Sequence, residues 1–293
     1  MAQVLQTPYV GRLAPSPTGA LHLGNVRTFM IAWLRARQAG GKLILRIEDL
    51  DHPKDKPGAD KEAIEDLKWL GFDWDEEYWQ SKRLDKYKAA LEKLIAKDLV
   101  YPCVCSRKDV EAAQSAPHEG EQLYYPGTCR GKYASWEEAY KVMNSHVEVE
   151  RWRTPCWRFK APKDFPLGDF PICRDRWGAG YTLAVVVDDA DMGVTEVVRG
   201  DDLVPATPCQ NLLQDALGLP RPEYLHVPLV VGPDGKRLAK RHGDTRISSY
   251  RAAGVKPEVI INRLAGTLKM SGGTLKALLN QRMEIPHEKT YLE

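Results

Sequence analysis

The sequence predicts an α/β protein: a parallel sheet with helical crossovers, interrupted by an insertion and followed by a short helical C-terminal part. Three observations carry this expectation. A strand–helix–strand pattern fills the first sixty residues, the rhythm breaks from about residue 100 to 180, and it resumes at Tyr181. Strand, helix and strand in that order imply a right-handed crossover between parallel neighbours. Ligands of such sheets collect at the carboxyl ends of the strands.

Tyr9-Val10-Gly11-Arg12-Leu13-Ala14 forms the first expected strand, ended by Pro15 and Pro17, which cannot donate to a ladder. Val26, Phe29, Met30, Trp33 and Leu34 then recur at helical spacing until Gly40-Gly41. Leu43-Ile44-Leu45-Arg46-Ile47 is a second strand, running into the acidic Glu48-Asp49-Leu50-Asp51. Residues 60–70 and 82–97 have amphipathic helical patterns, with Gly71 as the stop between them. The apolar run Tyr181-Thr182-Leu183-Ala184-Val185-Val186-Val187 reads as a returning strand, followed by another over 193–200 and a helix near 206–217. His226–Val231 forms a further strand, and short helices fill the last 45 residues or so. The expected division is 1–99, the insertion 100–180, 181–245 with a basic loop, and 246–293.

Composition supports a folded, water-soluble chain. Of 293 residues, 43% are hydrophobic and 28% charged, ordinary values for a globular protein with a core. No run approaches the roughly 20 apolar residues of a bilayer span, so no membrane association is expected. The N-terminus lacks the charge and apolar pattern of a secretion signal, and six cysteines make no disulfide framework, which points to the cytoplasm. The net charge of +2 conceals a polarity: residues 221–293 carry +6 and residues 1–220 carry −4. A basic quarter of this kind suits a polyanionic partner. A monomer is expected.

Two stretches suggest phosphate chemistry. The loop Pro15–Gly24 joins the first strand to the first helix, where unpaired N–H groups and the helix dipole favour an anion. Within it, His22 can donate to a phosphate oxygen, and Gly19 and Gly24 permit close backbone approach. Far downstream, Lys236-Arg237-Leu238-Ala239-Lys240-Arg241-His242-Gly243 can neutralise charge growing on a triphosphate. A third stretch, Cys103-Val104-Cys105 with Cys129, places three thiols close enough for a structural zinc site. Ordinary ligand preference makes His118 the fourth ligand. Cys156, Cys173 and Cys209 have no partner spacing and are expected in the core.

Together, His22-Leu23-Gly24 and Leu238-Ala239-Lys240-Arg241 resemble the histidine and lysine signatures of class I aminoacyl-tRNA synthetases, whose catalytic sheet is Rossmann-type. Arg12-Leu13-Ala14-Pro15-Ser16-Pro17-Thr18-Gly19 and Arg46-Ile47-Glu48-Asp49 are similar to the glutamyl and glutaminyl members. Ala239 stands where that family usually has serine, which implies slower activation.

The resemblance implies ATP with Mg²⁺ at His22, Gly24 and Lys240, with His22 and Lys240 catalytic. It implies L-glutamate at Arg12, Leu13, Ala14, Pro15, Ser16, Glu48, Tyr181 and Arg199. The chemistry agrees, because two carboxylates call for arginine forks and an ammonium calls for an acid such as Glu48. For zinc, the resemblance selects Tyr125 in place of His118, beside Cys103, Cys105 and Cys129.

Only 53 residues follow Lys240, too few for an anticodon-reading domain of about 100 residues. Within the family, this pattern resembles the branch that activates glutamate without tRNA and moves it onto queuosine at the wobble position of tRNA(Asp). The alternatives are a short glutamyl-tRNA synthetase charging tRNA(Glu) and a non-catalytic RNA-binding paralogue.

Overall fold

The computed structural model describes residues 8–50, 56–113, 124–232 and 245–291. Strand β1 (Val10–Leu13), helix α1 (Leu23–Gln38) and strand β2 (Lys42–Ile47) open the chain, followed by α2 (Ala59–Trp69) and β3 (Glu76–Trp79). Next come α3 (Leu84–Ala96), β4 (Val100–Cys103), α4 (Arg107–Ala113), α5 (Trp136–Asn144), β5 (Cys156–Phe159), β6 (Phe170–Cys173) and α6 (Tyr181–Asp191). The remainder holds β7 (Glu196–Gly200), α7 (Thr207–Leu217), β8 (Glu223–Val227), β9 (Val230–Val231), α8 (Ile247–Ala252), α9 (Pro257–Gly266), α10 (Leu275–Leu278) and β10 (Thr290–Tyr291).

The chain forms two compact units, one of residues 1–82, 191–205 and 221–293, the other of residues 83–190 and 206–220. In the first unit β1, β2 and β3 form a parallel sheet in that order, and β7 pairs in parallel with β8. Thr195 N donates to Val10 O at 2.9 Å, which sets the start of β7 beside β1. The helical spacing on α1 places Val26, Met30, Ile31 and Leu34 in one core with Leu13, Leu43 and Leu45 of the sheet and Ile260, Ile261 and Leu264 of α9. Each such side chain contributes about 1.5–3 kcal/mol on burial. This packing holds the start of α1 at the carboxyl end of β1.

The second unit has its own antiparallel sheet, β4-β5-β6. The segment expected to be poor in regular structure therefore carries a ladder, with Cys103 opposite Cys156.

The strand expected over 181–187 is instead helix α6. An unbroken apolar run does not separate a buried strand from a buried helix. Here Leu183–Asp189 are all buried, as a helix hydrophobic on every side requires. Asp188 is tied down inside, accepting from Arg83 Nε at 2.7 Å and Tyr87 Oη at 2.8 Å. Strand β3 and the split of the 226–231 strand into β8 and β9 also depart from expectation.

Candidate active site and cysteine cluster

His22 is the N-cap of α1. Its backbone is extended, its Nδ1 accepts from Gly24 N at 3.1 Å, and its own N–H donates to Asn25 Oδ1 at 3.2 Å. A neutral imidazole that accepts at Nδ1 carries its proton on Nε2. The ring thus starts the helix with one nitrogen and offers a donor with the other. Gly24 makes this possible, since a Cβ there would lie 3.0 Å from His22 Cε1 and 3.1 Å from Nδ1. A Cβ on Gly19 would meet no atom of the described residues within 4 Å.

Lys240 and the rest of 233–244 lie outside the described residues, but both flanks of that segment meet the histidine turn. On the near side, Val230 Cβ lies 3.7 Å from where a Gly24 Cβ would be. On the far side, Leu23 N donates to Thr245 O at 3.2 Å, Ile247 N donates to Leu21 O at 2.9 Å, and His22 and Arg246 form an isolated antiparallel bridge.

The sheet positions several of the expected amino-acid residues. Arg12 on β1 is buried and its Nη1 donates to Val198 O of β7 at 2.7 Å. Leu13 and Pro15 are buried, Ala14 is half-buried and Ser16 is exposed. Glu48 N donates to Pro15 O at 3.0 Å, which ties the loop after β1 to the end of β2. The Glu48 carboxylate accepts from fully buried Arg46 at 3.1 Å. Its neighbour Asp49 accepts from Ser81 N at 2.9 Å and Ser81 Oγ at 2.6 Å. Arg199 on β7 is buried, and its Nε donates to His226 Nε2 at 3.2 Å. Tyr181 begins α6 of the second unit and is 39% exposed.

Sequence reasoning missed the Arg46–Glu48 pair, His226 and Tyr224. Register could have found the last two: Arg199 is the ladder partner of His226, and Tyr224 lies two residues back on the same face.

In the second unit, the Cys103, Cys105 and Cys129 sulfurs all lie within 4.8 Å of one another. Tyr125 Oη sits 3.2 Å from Cys103 Sγ and 3.4 Å from Cys105 Sγ, and Cys105 and Cys129 are 3.5 Å apart. Zinc bonds of about 2.3 Å to sulfur and about 2.0 Å to oxygen give tetrahedral edges of about 3.8 and about 3.5 Å, so the group fits that ion. His118 lies outside the described residues.

Tyr125 is held by the backbone. It bridges Gly168, where a Cβ would come within 2.2 Å of Tyr125 O at a φ of +61°, so only glycine fits. Arg158 lies 3.9 Å over the Tyr125 ring and donates to Cys103 Sγ at 3.2 Å. The neighbouring Cys103 thiol, then burial, push the Cys129 thiol up to about 12. Burial, then the surrounding thiols, raise the Tyr125 phenol well above its ordinary range. Cys156, expected to be without a partner, faces Cys103 across the ladder and packs on this cluster. Cys173 and Cys209 are buried, as expected.

The parallel sheet and the histidine turn at the head of α1 define a class I tRNA synthetase catalytic domain. The family described as "tRNA synthetases class I (E and Q), catalytic domain" matches residues 9–285. The chain is 45% identical to a glutamyl-Q tRNA(Asp) synthetase of Rhodopirellula baltica, over 96% of this chain and 91% of that one. It is 46% identical to the Symbiobacterium thermophilum enzyme of the same name, over 87% and 85%. A glutamate–tRNA ligase of Aquifex aeolicus is 40% identical over 86% of this chain, which spans only 56% of that protein. Among solved structures, a glutamate tRNA ligase from Elizabethkingia meningosepticum in complex with its amino acid matches with a TM-score of 0.78 and 26% identity, over 98% of this chain and 67% of that one. The chain belongs to the glutamyl-Q tRNA(Asp) synthetase family.

Proposed function

We propose that this enzyme activates L-glutamate with ATP and Mg²⁺ and transfers it to queuosine of tRNA(Asp). The observation that carries the reading is the meeting of both flanks of the 233–244 segment with the His22 turn. In the first step a glutamate carboxylate oxygen attacks the α-phosphorus in line and pyrophosphate leaves. The Nε2 donor of His22, the α1 N-terminus and Lys240 are suited to the charge that builds on the phosphates. Arg12 and Arg199 are suited to the carboxylates, and Glu48 to the ammonium. In the second step a hydroxyl of the queuosine cyclopentene-diol attacks the mixed anhydride and AMP leaves.

Cys103, Cys105, Tyr125 and Cys129 would hold zinc, which when bound cross-links the end of β4 to the turn at Cys129. The six cysteines are free thiols, in keeping with a cytoplasmic enzyme. The basic surplus of residues 221–293 supplies phosphate attraction that weakens as salt rises. The deciding experiment supplies ATP and labelled glutamate with tRNA(Glu) in one reaction and queuosine-containing tRNA(Asp) in the other. Label is expected on tRNA(Asp), and label on tRNA(Glu) alone overturns the reading.

A further inference from the structure

Arg199, His226 and Tyr224 form a layered arrangement on one face of the β7–β8 ladder. Arg199 and His226 are register partners, and the guanidinium donates through Nε to His226 Nε2 at 3.2 Å. The same guanidinium lies 4.8 Å over the Tyr224 ring, and the Tyr224 and His226 rings stack 6.1 Å apart at 9°. Arginine has donors only, so His226 Nε2 must be unprotonated for this bond to exist. With Nε so directed, a carboxylate would meet the edge formed by the two η nitrogens.

We infer that His226, backed by Tyr224, is a positioning residue that aims Arg199 at a substrate carboxylate and does so only as the neutral imidazole. This rests on the proposed role of Arg199 as a carboxylate anchor. Among the described residues, Arg199 of β7 and Asp201 just beyond it bear on the imidazole through their charge. Burial, then the Arg199 charge, hold the imidazole below its ordinary 6.5 against the opposing pull of Asp201. The neutral form is therefore retained at neutral pH. Protonation turns Nε2 into a donor facing a donor and places two cations side by side.

The test is the KM for glutamate in ATP–pyrophosphate exchange, followed from about pH 5 to about pH 8. In the unaltered enzyme, KM is expected to be flat near neutrality and to climb as the pH falls below the ordinary imidazole value. His226→Gln keeps an acceptor that does not titrate, so its KM should stay within about threefold of wild type and lose the acid climb. His226→Ala should raise KM about tenfold near neutrality and by less at acid pH, where wild type has itself lost the contact, with kcat and the KM for ATP within about threefold. An acid climb that survives His226→Gln, or an unchanged KM in His226→Ala, overturns the inference. Arg199→Lys separates the two layers. If it leaves KM unchanged, the anchor reading fails and takes the inference with it. If it raises KM while both His226 variants behave as wild type, only the inference fails.

Discussion

His22 and Arg246 face one another as an antiparallel bridge, so the residue that starts the signature helix is paired with one just past the segment containing Lys240. The pairing is backbone to backbone and does not depend on which side chain follows the lysine. Two stretches more than two hundred residues apart thus share a hydrogen-bonded corner.

His22 caps α1 and, in the proposed reading, also meets the phosphates of ATP; substitution can separate the two. His22→Ala should lose the cap and destabilise the protein by about 1 kcal/mol. It should also slow glutamate-dependent ATP–pyrophosphate exchange by about 10²-fold. His22→Asn restores a good capping oxygen, so urea denaturation should return to wild type while exchange stays slow. Recovery of exchange in the Asn variant would show that the ring acts only as a cap.

If the cysteine cluster holds zinc as proposed, it should release protons on taking the ion up. Cys129 is pushed up to about 12, and burial raises Cys105, so both bind as thiols that must ionise. The apparent zinc affinity should fall steeply as the pH drops. Titration calorimetry in buffers of different ionisation enthalpy should detect more than one proton released per ion. Tyr125→Phe should weaken binding while leaving α1 and the parallel sheet intact, as judged by exchange at saturating substrates.

Asp66 makes stability depend on pH in the direction opposite to most carboxylates. It is fully buried, neither oxygen has a hydrogen bond among the described residues, and Arg251 Nε lies 3.2 Å away. Burial outweighs Arg251 and, with Glu62 and Glu65 nearby, raises its carboxyl from 3.8 to about 6. The folded state therefore binds the proton more tightly than the unfolded one. Stability from this group is gained as the pH falls from about 6 to about 4 and is lost as it rises through about 6. Asp66→Asn should stabilise the protein by about 2 kcal/mol near pH 7.5 and by little near pH 4.5, read from urea midpoints. Equal effects at both pH values would contradict the assignment.

Glu196 is a stability determinant remote from chemistry. Its carboxylate accepts two bonds from Arg35, one at 2.6 Å, and one from Tyr9 Oη at 2.5 Å. Arg35→Met would leave a buried charge and cost about 2 kcal/mol, while Arg35→Met with Glu196→Gln should recover most of it. Exchange rates at saturating substrate should not change in either variant.

The elements around the histidine turn were legible because each has a local cause. Pro15 ends β1, apolar spacing from Val26 to Leu34 makes α1, and Leu43–Ile47 is a short buried run. Helix α6 was not legible, because Val185-Val186-Val187 suits a buried strand as well as a buried helix, and apolar spacing alone does not separate the two. The β4–β5 ladder was hidden for another reason: Cys103 and Cys156 are partners across a fold, and spacing along the chain carries no trace of that. The same blindness concealed His226, an unremarkable residue in the sequence until Arg199 is placed beside it.

The cluster of thiols has a dependence that its own side chains do not reveal. Gly168 lets the chain pass so tightly under Tyr125 that a Cβ there would come within 2.2 Å of Tyr125 O, and the backbone that carries the phenol would have to move. If the cluster holds zinc as proposed, a failure to retain it can begin at a position with no atom to donate, and a search confined to ligands would overlook it.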